Sequence, residues 1–122
     1  AGSVAGTRTR CRARLLRRLM QPARQGPFCV FIGDDFTGAS DTLASWARTG
    51  ARVRLFLDAT VAAAAGVDLD VIGIATGLRG LPADRIDREM AGIAASLSGL
   101  RPKFVHYKIC STFDSGPDTG SI

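Results

Sequence analysis

A chain of 122 residues is enough for about one small domain. Its hydrophobic fraction of 46% and mean hydropathy of +0.12 argue against wholesale disorder. The net charge of +5 is unevenly spread: seven arginines lie between Arg8 and Arg24 with no acid before Asp34, whereas from Phe31 onward nine Lys or Arg stand against eleven Asp or Glu.

No apolar run approaches the ~20 residues of a membrane-spanning helix, so a soluble, cytoplasmic protein with no membrane partner is expected. Residues 1–27 read as a disordered, Arg-rich extension. Such a run also suits nucleic acid or an anionic membrane surface through counterion release, and it has the Arg-rich, acid-poor look of a transit peptide. A solvated extension is the preferred reading, and nucleic acid is not an expected partner. Met20 stands just before the domain-like sequence and is an alternative start for it. The cysteines, Cys11, Cys29 and Cys110, are odd in number and lack metal spacing. Cys29 and Cys110 fall in apolar, strand-like runs, which predicts small buried side chains in a reducing compartment.

From Phe28 the pattern alternates strand and helix signals. A first strand is predicted over Phe28 to Gly33, and a helix over Gly38 to Thr49 with Thr37 as N-cap and Gly50 as its left-handed stop. Ala39, Leu43, Trp46 and Ala47 share one face of that helix, so Trp46 reads as core. A second strand over Val53 to Leu57 leads to Asp58, which can cap a short helix from Ala59 to Ala65 ended by Gly66. A third strand covers Asp70 to Ala75. Pro82 suits the first position of a third helix, whose Ile86, Met90, Ile93 and Leu97 form a buried stripe, with Arg85, Arg88 and Glu89 on its wet face. The fourth strand is Lys103 to Cys110. This βαβαβαβ order, with Val- and Ile-rich strands, predicts an α/β fold: a Rossmann-like, three-layer parallel sheet of about four strands with flanking helices, as an incomplete piece of a larger domain.

All four strands then end at one edge, where the polar turns gather. Asp34 and Asp35 sit in the first strand-to-helix turn, and carboxylates there cost free energy unless they meet hydroxyls, a cation or a shared proton. Phe104, His106, Lys108 and Cys110 share one face of the fourth strand. Lys108, near its carboxyl end, either reaches an anion at the edge or points to water. His106 lies deeper and reads as a structural histidine. Arg79, in ATGLRGLP, offers a fork that matches a carboxylate. The stretch STFDSGPDTGS, residues 111–121, can supply hydroxyls and backbone N–H groups to a polyhydroxylated or phosphorylated ligand. No phosphate loop, dinucleotide fingerprint or zinc spacing is present. A receiver domain would need a phosphoacceptor carboxylate after the third strand, and Ala75-Thr76-Gly77 has none.

Taken together, GDDFTGASD (33–41) and HYKICSTFDSGPDTGSI (106–122), with ATGLRGLP (75–82) as a looser match, resemble the motifs of the four-carbon acid sugar kinases. In the looser segment Leu78 stands where the family usually has a small polar residue. The resemblance covers residues 28–122. Its members are ATP-dependent kinases of threonate, erythronate or 3-oxo-tetronates, with an N-terminal sugar-binding and a C-terminal nucleotide-binding domain. The resemblance implies that residues 28–122 are part of the first domain, inactive alone. ATP and Mg2+ would then bind mainly through the second domain. It also implies that Asp34 and Asp35 hydrogen-bond sugar hydroxyls, that Arg79 and Lys108 neutralise the carboxylate, and that Ser111, Thr112 and Asp114 line the other wall. The catalytic base is left unassigned, no resident metal site is expected, and a homo-oligomer is compatible with the reading. The alternative is a non-catalytic, receiver-like or small-ligand-binding module.

Overall fold

A computed structural model describes residues 26–65, 68–112 and 115–120. The Arg-rich extension with Cys11 and Met20, the predicted helix stop Gly66, and Asp114 lie outside the described residues. Four parallel strands, β1 (Cys29–Gly33), β2 (Val53–Phe56), β3 (Val71–Ala75) and β4 (Phe104–Lys108), form one sheet in the order β2-β3-β1-β4. The helices are α1 (Phe36–Arg48), α2 (Ala59–Ala65) and α3 (Ala83–Leu97), the last followed by a 3-10 turn at Ser98–Leu100. The α/β class and the parallel sheet are as the alternating pattern predicts.

Period-2 alternation sorts the strand residues onto two faces. On one, Val30, Ile32, Phe56, Ile72 and Ile74 pack with Ala62, Leu97 and Leu100, and Met90 and Ile93 of α3 complete this layer. On the other, Cys29, Phe31, Val71 and Ala75 pack against Ala39, Leu43 and Trp46 of α1. Trp46 therefore packs on the core, half-buried and edge-on against Phe28 at 6.2 Å between ring centroids. Gly73 is required by this packing, because a Cβ there would run into the ring of Phe31 and the side chain of Leu55. Arg52 closes the amino edge with an ion pair to Asp70 at 3.2 Å, and this hydrogen bond raises its pKa above the ordinary guanidinium value.

Several boundaries differ from expectation for physical reasons. The N-cap of α1 is Asp35, not Thr37: its backbone is extended and its Oδ2 accepts from the Gly38 N–H at 3.1 Å, which places Thr37 inside the helix. Pro82 is the residue before α3 rather than its first residue, with an extended ψ of 147°. Asp58 does cap α2: it accepts from the Thr60 hydroxyl, which does most to lower its pKa, and from the N–H groups of Val61 and Thr60, which lower it further. Gly50 takes the predicted left-handed conformation at φ +80°. The largest correction concerns β4. Among the described residues it pairs with β1 alone, and Phe104, Val105 and His106 are exposed. His106 is thus not the deep structural histidine expected of a covered strand.

The connections open the sheet at one edge. β1 runs on to α1 on one face and β3 runs on to α3 on the other, although β1 and β3 are neighbours. Neighbouring strands whose connections part in this way leave an opening at their carboxyl ends, where open α/β sheets bind ligands.

Candidate functional site

Three segments far apart in sequence meet at that opening. Asp34 follows β1 directly, and its peptide is clamped from both sides. Its N–H donates to the Lys108 carbonyl at 3.1 Å, and its carbonyl accepts from the Arg79 N–H at 3.0 Å. The β3 turn is pinned to the same place, since both the N–H and the Oγ1 of Thr76 donate to the Gly33 carbonyl, at 3.0 and 2.7 Å. These bonds use up backbone groups at the sheet's end, which would otherwise be unsatisfied on burial.

The side chains add charge to this scaffold. Asp34 is buried, 3% exposed, with its Oδ1 shut off from solvent. Asp35 spends Oδ2 on the α1 cap, and its Oδ1 lies 3.7 Å from Lys108 Nζ. Lys108 therefore turns inward at the edge and does not point to water. Arg79 holds the β3 turn through its backbone, and its charge reaches the same region. The thiol of Cys110 is shifted below its ordinary value, chiefly by hydrogen bonding with Thr112 and further by Arg79, while Asp35 opposes the shift. Cys110 lies just beyond β4 and is half-buried, whereas Cys29 is fully buried with a raised pKa, so the expectation of a buried thiol holds for Cys29 only.

Ser111 and Thr112 occupy the exposed turn after β4. Residues 115–120 reach the β3 side, where the Gly120 N–H donates to the Leu81 carbonyl at 3.2 Å. Asp34, Asp35, Arg79, Lys108, Ser111 and Thr112 thus gather at the ends of β1, β3 and β4. Leu78 does not face this set. It is buried, and lines a cleft of ≈ 680 Å³ between β2, β3, α2 and α3, together with Asp58, Thr60, Thr76, Arg88 and Glu89. Sequence reading missed the part played by Thr76 and Gly38. Thr76 was legible as the hydroxyl residue closing a strand, but the Gly38 signal lay only in its contact with β4.

Among the described residues no group of three or more His, Cys, Asp or Glu gathers as a metal centre. No glycine-rich phosphate cradle is present either. The edge sets the Asp34 carboxylate and the Ser111 and Thr112 hydroxyls in the same region as two cations, Arg79 and Lys108. No described helix is long and apolar enough to cross a membrane.

The fold and this edge define an α/β domain with a parallel sheet and a polar, charged cluster at the carboxyl ends of its strands. Residues 29–122 match the family model described as "Sugar-binding N-terminal domain". The chain is 34% identical over 99 residues to a 3-oxo-isoapionate kinase of Paraburkholderia graminis, covering 80% of this chain and 21% of that protein. It is 32% identical over 91 residues to a 3-oxo-tetronate kinase of Methylobacterium radiotolerans, covering 75% of this chain and 21% of the relative. A 3-oxo-tetronate kinase of Burkholderia multivorans is 34% identical over 105 residues, covering 84% and 24%. No solved structure matches the chain. The chain belongs to the four-carbon acid sugar kinase family, within its sugar-binding N-terminal domain. It spans about a fifth to a quarter of the length of these relatives.

Proposed function

We propose that this domain binds a four-carbon sugar acid, of the threonate, erythronate or 3-oxo-tetronate type, for phosphorylation by the kinase of which it forms the N-terminal part. The observation that carries the reading is the Asp34 peptide clamped between Lys108 and Arg79. It joins the three segments that carry the family motifs into one charged edge. In this reading Asp34 accepts hydrogen bonds from the sugar hydroxyls. Lys108 and the Arg79 fork take the carboxylate, and Ser111, Thr112 and Asp114 form the opposite wall. Phosphoryl transfer depends on positioning and charge stabilisation, so a domain that fixes the acceptor hydroxyl supplies much of the catalysis. ATP and Mg2+ are proposed to bind outside the described residues, and the domain by itself is proposed to be inactive.

The test is calorimetric titration with erythronate, threonate and a 3-oxo-tetronate, followed by an ATP-consumption assay on the full-length protein. Saturable binding of a four-carbon acid that is lost in Asp34→Asn and Arg79→Ala supports the reading. A protein that consumes no ATP with any of these acids, and binds none of them, defeats it.

A further inference from the structure

Lys108 sits in an electrostatically awkward place. Its ammonium lies against the first turn of α1, where the helix presents its positive end. A Cβ at Gly38 would overlap Lys108 Nζ and press on Lys108 Cε and Asp35 Oδ1. A cation does not rest against a helix N-terminus without compensation, and the compensating charge is Asp35, 3.7 Å away. Both side chains are largely buried, 18% exposed for Asp35 and 22% for Lys108. The same carboxylate anchors the helix through Oδ2 and the Gly38 N–H. Asp35 thus has one oxygen on the helix and the other on the lysine, and neither is aimed outward at a ligand.

We infer that Asp35 is a positioning residue that holds the Lys108 ammonium at the end of α1, in a space that exists because residue 38 is glycine. This rests on the proposed function for what Lys108 then does, which is to meet the carboxylate of the sugar acid. It departs from the family resemblance, which would make Asp35 a ligand of the sugar hydroxyls. The arrangement is preorganised: the long lysine side chain is ordered before the anion arrives, so that ordering cost falls on folding and not on binding. When the anion binds, Lys108 and the helix N-terminus act on it together.

The chain contains two lysines, Lys103 and Lys108, and Lys103 is exposed, so 13Cε-lysine labelling gives a site and an internal reference. In the wild-type chain the two Hε protons of Lys108 are expected to be inequivalent and to show contacts to Gly38 Hα, while those of Lys103 average. Asp35→Ser keeps a capping oxygen and removes the charge, and Gly38→Ala keeps the helix and fills the space. Both are expected to melt at or near the wild-type temperature, to collapse the Lys108 signals to the averaged pattern of Lys103, and to weaken erythronate binding by about tenfold or more. Averaged Lys108 signals in the wild type, or unchanged signals in both variants, would overturn the inference. Collapsed signals with equal or tighter erythronate binding would also overturn it, since Asp35 would then merely compete for the lysine. If the wild type shows an ordered Lys108 that both variants release, yet binds no sugar acid, the positioning stands and the proposed substrate class fails.

Discussion

β1 and β4 are neighbours in one sheet, paired in register from Cys29 with Phe104 to Gly33 with Lys108, yet they live in different environments. Every residue of β1 is buried, whereas Phe104 is 58% and Val105 67% exposed. β1 (CVFIG) is wholly apolar and β4 (FVHYK) is mixed, but the apolar Phe104 and Val105 that open β4 are exposed all the same. The difference comes from what lies over them: α1 packs on β1, β2 and β3, and α2 on β2 and β3. Burial in a parallel sheet is granted by the helices above and below, not by strand composition. The functional edge sits where the two environments meet, with Asp34 and Asp35 following the buried strand and Lys108 ending the exposed one.

This contrast can be broken by experiment, and the largest effect is expected for the cysteines. Cys29 on β1 is buried, with desolvation raising its pKa, whereas the Cys110 thiol is held below the ordinary 9.0, chiefly by Thr112. A lowered thiol pKa means more thiolate at a given pH, so the Cys110 alkylation profile shifts toward lower pH. Iodoacetamide labelling followed by peptide mass mapping should modify Cys110 orders of magnitude faster than Cys29, which reacts only on unfolding. Comparable rates would mean that β1 is not protected.

The next effect is on stability. Phe31, with no exposed surface, anchors the α1 layer, and Phe31→Ala should cost about 3–5 kcal/mol in urea denaturation. The same truncation at Phe104 should cost about 1 kcal/mol, mostly from its 5.2 Å edge contact with Phe28. Equal losses would erase the distinction between the strands. Gly73→Ala, which drives a methyl into Phe31 and Leu55, should destabilise by about 1–3 kcal/mol. Gly77→Ala, with nothing within 4 Å, is the matched control and should leave the denaturation midpoint near wild type.

The smallest effect belongs to the α1 cap. Asp35→Ala removes the acceptor for the Gly38 N–H and should cost about 1 kcal/mol, while Asp35→Ser should recover most of it. If alanine and serine melt together, the cap contributes nothing and the Asp35 carboxylate serves only Lys108.

Much of this molecule was legible in the chain because it depends on local rules. Short apolar runs marked the strands, the Ile86–Leu97 spacing marked a stripe whose Met90, Ile93 and Leu97 reach the core, and Asp58 and Gly50 marked a cap and a stop. The Asp34-Asp35 turn, Arg79, Lys108, Ser111 and Thr112 were likewise visible as the polar residues at the strand ends. What the chain alone left open is long-range. Asp35 and Thr37 are both good capping residues, and nothing local chooses between them; Asp35 holds the cap where its other oxygen also meets Lys108. Period 2 gives two faces to β4 but not which helix covers each, so His106 read as deep and is exposed. The order β2-β3-β1-β4 sets β1 between β3 and β4, and that placement brings Arg79 and Lys108 to either side of the Asp34 peptide. Local sequence encodes dihedrals and periodicity, whereas strand order is chosen by the burial of whole faces, a property that no single segment carries.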